Sequence, residues 1–551
     1  MRIAALLLIP LLAAADWPML GGTPARNPVN HVDRNIPTKF DPEKDCLWKA
    51  DLGSWISLGG PVVAGGKVFV GTDNQRPRNK RDQRKLPDGQ LDPKNLGVLM
   101  CFEEKTGKFL WQGVFDEHPP GILSDRAFRG ILSTPAVEGD RLYFVSSDGQ
   151  VVCADVNGLI DGRQGKVIRE KYSDPTDADI HWMLDMRKEL GVVAHSGSNC
   201  SPLIVGDLVF VCTSNGVDEG HFNIPAPQAP SFIAINKKTG KLVWKDNSPG
   251  RDIMHGQWSS PAYTADPVPQ VIFAGGDGWL YSFDPPTGKL LWKFDVNPKD
   301  GVYELGGTGD KNDCVAPPVI HNGRLYIGVG QDPEHTDGIG RFWCLDIKKA
   351  TENGAKRADR DVSPERVTSF EKPKRETDRP KVTTKPNPGS AGVWCFSGKK
   401  THPFDVREFK MYRTMGSACV VDDVVYVVEL TGFLQCLDAK TGKEYWKYDT
   451  KASIWFGPTY VDGKILFGND SGDLHVFKHV KNPEPIPYFD LASADEKAAG
   501  TSRRARQQEV RDKYLLARIP FNEEPIRSVP CVANGVLYVM TEKTLYAIGK
   551  K

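Results

Sequence analysis

The phrase EKTGKFLW, residues 104–111, decides the fold because the chain repeats it. It returns as KKTGKLVW at residues 237–244, PPTGKLLW at residues 285–292 and AKTGKEYW at residues 439–446. The Thr-Gly pair is typical of a turn with positive φ at the glycine, and the aromatic end of each phrase is typical of a strand. A phrase that recurs in this way predicts a repeat architecture rather than a series of unrelated domains.

Further short segments of alternating polarity lie upstream of each phrase. RLYFVSSDGQVVCADV, residues 141–156, reads as two strands with a turn, and the proline-containing segment Ser133–Val137 precedes it. Each unit therefore predicts four short antiparallel strands, A to D. We count eight units, whose strands A begin near Gly60, Thr134, Ser201, Ser260, Ala316, Ser417, Gly457 and Val529.

Strand D holds a tryptophan in most units and Tyr488 in the seventh. The eighth unit stops after strand C, at residues 545–551, and the N-terminal CLWKADL, residues 46–52, supplies its missing strand. The predicted fold class is all-β: an eight-bladed β-propeller of four-stranded antiparallel blades, the last closed by the N-terminal strand. The large aromatic residues receive a structural role between adjacent sheets: Trp48, Trp111, Trp182, Trp244, Trp292, Trp394 and Trp446.

Residues 1–15 are predicted to be a secretory signal peptide. Arg2 precedes an apolar run that is too short to cross a membrane as a helix, and three alanines before Asp16 form a small-residue cleavage site. An N-terminal strand or helix is the alternative. We expect cleavage after Ala15 and export to the periplasm or cell envelope. Residues 16–44 then form an N-terminal arm and residues 45–551 the propeller.

The composition limits the classes of partner. Over 551 residues, 71 lysines and arginines balance 70 aspartates and glutamates, so the formal net charge is +1. Nucleic acids and anionic membranes require a basic face, which this balance disfavours. No stretch after the signal approaches the roughly 18 apolar residues of a membrane-spanning helix. We expect a monomer without a membrane span that does not bind nucleic acid.

The cysteines do not suggest a disulfide framework. There are 11, an odd number. Four occupy one repeat position at which other units carry alanine or serine, so the position requires a small buried side chain. Mostly free, packed thiols are favoured, and pairing between neighbouring repeats is the alternative. The residues at this position are Cys101, Cys153, Ala234, Ser282, Cys344, Cys436 and Ala547.

No close cluster of cysteine and histidine occurs along the chain. His475 and His479 are an isolated pair with an expected structural role, so no metal site is predicted. Two longer segments interrupt the repeats. The charged insertion at about residues 348–392, between strands C and D of the fifth unit, is expected to be solvated and mobile. Ser493–Tyr514 has the composition of a surface helix.

Strand C, the TGK turn and the tryptophan together resemble the repeats of the PQQ-like β-propeller superfamily, of the exported bacterial type. This superfamily includes quinoprotein alcohol dehydrogenases and the propeller lipoprotein of outer-membrane protein assembly. The resemblance covers the chain from Cys46 onward, and Asp16-Trp17-Pro18 also resembles the start of such exported proteins. Two further shared phrases lie at residues 215–244 and 330–346.

For the dehydrogenases, the resemblance implies a quinone stacked between a tryptophan and a disulfide of adjacent cysteines, above a calcium ion and a catalytic aspartate. No two cysteines are adjacent in this chain, and no calcium ligand set aligns with it. No catalytic residue and no cofactor are therefore predicted. PQQ with calcium is the alternative. Trp258 and Trp455 are then the candidate aromatic surfaces beneath the quinone, and Asp313 and Asp332 are the candidate bases that take the substrate proton. The anchor cysteine of the assembly lipoprotein is absent as well.

Candidate binding residues follow from the geometry of a propeller, in which ligands commonly sit where loops meet the central funnel. His255 and Trp258, within HGQWSSP, are the strongest candidates because imidazole, amide and indole groups cluster there. The alternative for each residue is that it binds loop backbone at the entry to a strand. The residues just ahead of strands A are Arg129, His195, Asn199, His255, Gln257, Trp258, Asn312, Asp313, Arg413, Trp455 and Arg527.

These observations predict an exported propeller that acts as a binding or scaffolding module for a polar ligand or a protein partner, without quinone catalysis. The first alternative is a PQQ-dependent oxidoreductase with a divergent active site. A hydrolase that uses carboxylates at the rim is a further alternative. Its only support in the sequence is isolated acidic residues.

Overall fold

The computed structural model describes residues 15–53, 59–117, 127–165, 170–306, 308–331, 338–371, 380–399, 409–486 and 496–550. Residues 1–14 of the predicted signal peptide, the candidate base Asp332 and Tyr488 lie outside these residues. Seven four-stranded sheets and an eighth that gains a fifth strand follow one another along the chain. The predicted all-β, eight-bladed propeller is confirmed.

The first four blades each take their strands in chain order. Strands A to D are Val62–Ala64, Lys67–Asp73, Leu96–Glu103 and Phe109–Asp116 in blade 1; Ala136–Glu138, Arg141–Val145, Gln150–Asp155 and Ile180–Asp185 in blade 2; Leu203–Val205, Leu208–Cys212, Phe232–Asn236 and Leu242–Asp246 in blade 3; and Ala262–Thr264, Gln270–Ala274, Trp279–Phe283 and Leu290–Asp295 in blade 4.

Blades 5 to 7 follow the same order, and blade 8 combines both ends of the chain. Strands A to D are Val319–His321, Arg324–Val329, Arg341–Asp346 and Gly392–Phe396 in blade 5; Cys419–Val421, Val424–Val428, Phe433–Asp438 and Glu444–Asp449 in blade 6; Thr459–Val461, Lys464–Gly468, Asp473–Lys478 and Leu515–Pro520 in blade 7; and Cys531–Ala533, Val536–Met540, Thr544–Ile548 and Cys46–Asp51 in blade 8.

The remaining elements are short additions to the blades. In the ranges given above, three helices, α1 to α3, span Met186–Leu190, Ile347–Ala355 and Glu496–Tyr514, and 3-10 turns span Lys80–Asp82 and Gly250–Asp252. The arm strand Val29–Asn30 is parallel to strand A of blade 7, and hairpins join Gln83–Lys85 to Leu91–Pro93, Tyr303–Glu304 to Thr308–Gly309, and Glu365–Glu371 to Lys381–Pro386. Across the described ranges, no helix combines the length and the apolar character needed to cross a membrane.

The register explains why one repeat position must be small. In strand C, that position pairs directly with the tryptophan of strand D, as in Cys101 opposite Trp111 and Ala234 opposite Trp244. The same pairing closes blade 8, where Trp48 lies opposite Ala547. All 11 cysteines are free thiols in the structure, and all except Cys46 and Cys395 are buried. The expected packing of small thiols is confirmed.

The repeated tryptophans join neighbouring blades. The indole of Trp182 in blade 2 lies on Gly240 of the TGK turn of blade 3, and its Nε1 donates to the carbonyl of Lys237 at 2.8 Å. Trp48 lies in the same way on Gly107, across the junction between blade 8 and blade 1. The glycine is therefore needed for two reasons: its φ is +70° in both turns, and a side chain there would meet the indole.

Strand D of blade 7 corrects one prediction. The repeat pattern predicts this strand at the segment with Tyr488, whereas the structure places it at Leu515–Pro520. Helix α3 confirms the expected surface helix, but it lies between strands C and D of this blade. Tyr514 at its end stacks on Trp446 with ring centroids 4.9 Å apart. The prediction failed because LLARIP carries no aromatic residue.

The charged insertion of blade 5 is also more ordered than expected. Its helix α2 buries Ile347, Ala350 and Gly354, and Gly354 approaches the backbone and Cβ of Trp292 in blade 4. The amide of Val362 donates to the carbonyl of Lys293 at 3.0 Å, which adds the insertion to the edge of strand D. Helix α2 and Val362 are thus packed on blade 4, whereas the hairpin of Glu365–Glu371 and Lys381–Pro386 is mostly exposed, as the composition predicts.

The N-terminal arm crosses the ring of strands A at the end where the A–B turns lie. Asn27 and Asn30 bind the carbonyls of Val420 in blade 6 and Val532 in blade 8. Backbone hydrogen bonds join the arm to five other blades, through the pairs Trp17–Val63, Pro18–Val137, Pro24–Tyr263, Ala25–Ile320 and Pro28–Tyr460. The arm therefore lies along the inner edge of the ring of strands A at this end.

Arg26 holds the arm from within. Its side chain is completely buried, and its guanidinium donates to the carbonyls of Ser201 and Pro202 in blade 3, Pro261 in blade 4 and Leu20 in the arm. Burial lowers the pKa of Arg26 to about 10, so the group stays charged at neutral pH. With these bonds the arm contacts all eight blades.

Candidate functional site

Three histidines meet on the face formed by the B–C and D–A loops. His195 lies ahead of strand A of blade 3, His221 in the B–C loop of blade 3, and His255 ahead of strand A of blade 4. Their ring centroids lie 4.3 Å (His195–His255), 4.7 Å (His221–His255) and 4.9 Å (His195–His221) apart. No two rings are parallel, because the interplanar angles are between 60° and 87°.

The ring nitrogens converge as well. Nε2 of His255 and Nε2 of His221 are 3.3 Å apart. Nδ1 of His195 lies 3.1 Å from the carbonyl oxygen of Val217, and since a carbonyl only accepts, this nitrogen carries the proton. One nitrogen from each ring lies within 4.8 Å of the other two. His195 and His255 are buried, and His221 is half-buried.

Gly216 allows the loops to approach this closely. A Cβ at this position would lie 2.6 Å from the carbonyl oxygen of His255 and 2.7 Å from Cβ of His195. The amide of Val217 donates to the His255 carbonyl at 3.0 Å, and the amide of His195 donates to the Ser214 carbonyl at 3.1 Å. The backbone therefore fixes the positions of two of the imidazoles.

A tight turn, Asp218–Asn223, positions the third imidazole. His221 has a φ of +59°, and the Asp218 carboxylate accepts hydrogen bonds from the amides of Phe222 and Asn223 and from the Asn223 side chain. Burial acts to raise the pKa of Asp218, but these bonds and the neighbouring His221 outweigh it, so the pKa is lowered. The charged carboxylate thus stabilises the turn.

Of the predicted residues, Trp258 packs against this cluster and Gln257 binds the adjoining loop. Trp258 donates from Nε1 to the carbonyl of His195 at 3.0 Å, and its ring lies edge-to-face with His255 at 4.9 Å. Gln257 donates from Nε2 to the carbonyl of Asn215 and to Oγ of Ser231 at 3.0 and 2.8 Å. Gln257 therefore holds the B–C loop of blade 3, which is the structural alternative considered for it.

The structure corrects the statement that no histidine cluster exists. The three histidines are far apart along the chain, and the fold brings them together from three loops. His195 and His255 are among the predicted residues, whereas His221 is not, although the shared phrase at residues 215–244 and the long B–C loop both contain it. Asn199 and Arg129 lie beside this site, each within 4 Å of the Cβ position of Gly197.

The other predicted residues lie in two separate groups. In blades 5 and 6, Asn312 accepts from Arg341 at 2.6 Å, and Arg413 donates to the carbonyl of Gln331 at 2.8 Å. Asp313, which is buried, pairs through its backbone with Gly330. These contacts join loop to loop, so the polar side chains stabilise the entries to strands A.

The second group joins blades 7 and 8. Trp455 donates from Nε1 to Asp470 at 3.0 Å, and Arg527 pairs with Asp470 at 2.7 Å and with Glu542 at 2.8 Å. The Arg527 guanidinium lies 5.7 Å from the centroid of the Trp455 ring. The predicted rim residues are therefore distributed over three local networks rather than one site.

A groove of about 980 Å³ lies beside the histidine cluster. It is bounded by the loop ahead of strand A of blade 4, the D–A loop that follows blade 4 and the hairpin in the insertion of blade 5. Its charged side chains are the basic Arg251, Lys299, Lys311, Arg366 and Lys385 and the acidic Asp252, Asp277, Asp295, Asp359 and Asp361. Charges of both signs thus line a single concave surface.

Burial perturbs two of the carboxyls in this groove. It raises the pKa of Asp277 to about 7, against the hydrogen bonds that Asp277 accepts from the Tyr281 hydroxyl and the Trp279 amide. Burial also raises the pKa of Asp295, although Lys299 pairs with it at 2.8 Å. Lys299 in addition lies 4.4 Å from the centroid of the Trp279 ring.

The family model for outer membrane protein assembly factor BamB matches residues 33–364 and 387–478. The chain belongs to this family. The crystal structure of BamB from Moraxella catarrhalis aligns with this BamB-like propeller over 92% of the chain and 98% of the crystallised one, with a TM-score of 0.46 and 12% sequence identity. A likeness of this size carries no argument about function.

The BamB-like propeller also has curated relatives among dehydrogenases. It is 24% identical to the alcohol dehydrogenase (quinone) dehydrogenase subunit of Gluconobacter oxydans over 295 residues, 46% of the chain and 36% of the relative. It is 21% identical to polyvinylalcohol dehydrogenase of Pseudomonas sp over 404 residues, 67% of the chain and 54% of the relative. The chain thus spans about a third to a half of these relatives.

Proposed function

We propose that the protein is an exported binding module that holds a polar ligand or a segment of a partner protein on the face of the B–C and D–A loops. The observation that carries the proposal is the 980 Å³ groove between blade 4 and the insertion of blade 5. Binding sites of propellers commonly form where loops of several blades meet.

The arm supports the choice of face. Because the arm binds all eight blades at the A–B end, we place the ligand on the opposite face. Two lengthened loops at that end, the D–A loops before and after blade 4, border the groove together with the C–D insertion of blade 5. The repeat itself needs no such additions.

The charge pattern supports the choice of ligand. Five basic and five acidic side chains line the groove, and Trp279, Tyr303 and Leu305 lie among them. Neither sign dominates, so a zwitterionic or mixed-charge molecule fits better than a polyanion. A peptide with both charges and an apolar side chain has this chemistry.

A photo-crosslinking experiment tests the proposal in the host envelope. A benzophenone amino acid at Val367, which lines the groove and is 47% exposed, should give defined adducts. Phe370 is the matched control, because it lies on the same strand, is 58% exposed and does not line the groove. Adducts of the same kind and yield at both positions, or none at Val367, would contradict the proposal.

Quinone catalysis, which the names of the relatives suggest, does not fit the residues present. No two cysteines are adjacent in the sequence, so the disulfide of adjacent cysteines that stacks on the quinone in the dehydrogenases cannot form. One candidate floor, Trp455, has Arg527 over its ring, and the other, Trp258, packs against His195 and His255. We therefore expect no saturable, calcium-dependent binding of PQQ in a calorimeter. A stoichiometric binding signal that Trp258→Ala abolishes would instead support the alternative that the protein is a PQQ-dependent oxidoreductase.

A further inference from the structure

We propose that His195, His221 and His255 form a binding site for one divalent transition-metal ion of the Zn²⁺ class, with three imidazole ligands and an open fourth position. This inference is independent of the proposed function, because it concerns a separate cluster on the same face. It rests on the convergence of the ring nitrogens and on the tautomer of His195. It also rests on the close approach of the loops at Gly216 and on the hydrogen bond from the Val217 amide to the His255 carbonyl.

The spacing of the nitrogens matches a metal site. Tetrahedral zinc with Zn–N bonds of about 2.0–2.1 Å holds its ligand atoms roughly 3.3 Å apart. Nε2 of His221 and Nε2 of His255 already lie at 3.3 Å, and the three ligand atoms lie within 4.8 Å of one another. The widest pair must close by at most about 1.5 Å. His221, on its half-buried surface turn, is the residue best able to make this movement.

The partners of the rings orient the ligands. The Val217 carbonyl accepts a hydrogen bond from Nδ1 of His195 at 3.1 Å, so in the neutral ring the lone pair is on Nε2. Backbone carbonyls commonly play this role for metal-bound histidines. Val217 also donates its amide to the His255 carbonyl, so one residue organises two of the three proposed ligands.

The ligand chemistry selects the class of ion. Three neutral imidazoles suit Zn²⁺, Cu²⁺, Ni²⁺ and Co²⁺, whereas Ca²⁺ and Mg²⁺ prefer oxygen ligands. Three protein ligands also leave the fourth position of a tetrahedral ion for water or another small donor. This arrangement is typical of zinc sites that bind an exchangeable ligand.

Titration of the tag-free, exported protein with Zn²⁺ in a calorimeter tests the proposal, after treatment with a chelator. We expect one equivalent to bind with micromolar or tighter affinity. His221→Gln should weaken binding by roughly 100-fold or more, since loss of an outer-shell partner alone costs about 10–100-fold. His181→Gln in blade 2 is the control, because it removes a half-buried histidine outside the cluster and should leave the affinity within about twofold.

Cobalt provides a second readout. Co²⁺ in place of zinc should give the strong visible absorption of a tetrahedral site, and His195→Gln and His221→Gln should each abolish it. His221 lies on a surface turn, so its variant carries the test even if His195→Gln does not fold. Absence of a one-to-one zinc signal, or a signal that survives His221→Gln, would overturn the proposal.

Discussion

The packing of tryptophan on the TGK glycine can be tested inside one blade. Gly206 and Gly240 of blade 3 both have positive φ, +58° and +70°. A Cβ at Gly206 would meet no atom within 4 Å, whereas a Cβ at Gly240 would lie 2.7 Å from Cδ2 of Trp182. Gly206→Ala therefore measures the backbone cost alone, and Gly240→Ala adds the contact with the neighbouring blade.

The expected magnitudes follow from these two terms. An alanine at positive φ costs about 1–2 kcal/mol, which both variants share. Overpacking against the rigid indole adds about 1–3 kcal/mol at Gly240 only. At roughly 2 cal/mol/K per residue the entropy of unfolding is about 1.1 kcal/mol/K for this length, so each kcal/mol lowers Tm by about 1 °C.

Scanning calorimetry of the two variants checks these values. Gly206→Ala should lower Tm by about 1–2 °C and Gly240→Ala by about 2–5 °C. In a background of Trp182→Leu, the two substitutions should cost the same, because the indole is gone. Equal losses in the parent background, or a difference that persists without Trp182, would refute the assignment of this contact as the joint between blades.

Three further predictions concern closure, thiols and pH. Trp48→Ala at the closure of blade 8 should cost about 3–5 kcal/mol by denaturant unfolding, as much as Trp182→Ala in an ordinary blade, and a much smaller loss would argue against closure by the N-terminal strand. Burial raises the pKa of Cys101, Cys153 and Cys344, so these thiols should react with a thiol reagent only after denaturation; rapid reaction in the native protein would contradict their packing. Folding raises the pKa of Asp277 to about 7, so its protonated form stabilises the fold at low pH and this contribution is lost as the pH rises from about 4 to 7. In denaturant unfolding, the free energy of unfolding of Asp277→Asn relative to that of the parent should therefore rise by about 2–4 kcal/mol across that range. A difference that stays constant with pH would mean that the pKa of Asp277 is not raised.

The fold could be predicted from the sequence because most blades repeat parts of the same pattern. A turn glycine, a small residue in strand C and a tryptophan in strand D recur at matching positions, so each unit supports the assignment of the others. Blade 7 shows the limit of this reasoning. Its strand D, Leu515–Pro520, lacks the tryptophan and follows a long insertion, so no local signal marked it.

The candidate site was only partly predictable, because its residues come from loops that do not repeat. His195 and His255 were identified from their positions ahead of strands A. His221 could not be, since its place depends on the turn that Asp218 organises and on the close approach that Gly216 permits. The groove likewise required the insertion of blade 5 to pack on blade 4, which charge composition alone argued against.

The most direct test of the central claim, that the groove on the loop face is the binding site, is a crystal structure of the protein purified from its own host. We expect ordered density for a polar molecule or peptide between the D–A loop after blade 4 and the hairpin Glu365–Glu371, in contact with Arg366 and Lys299. A ligand bound at the A–B end, in place of the arm, or a groove that holds only water would contradict the account.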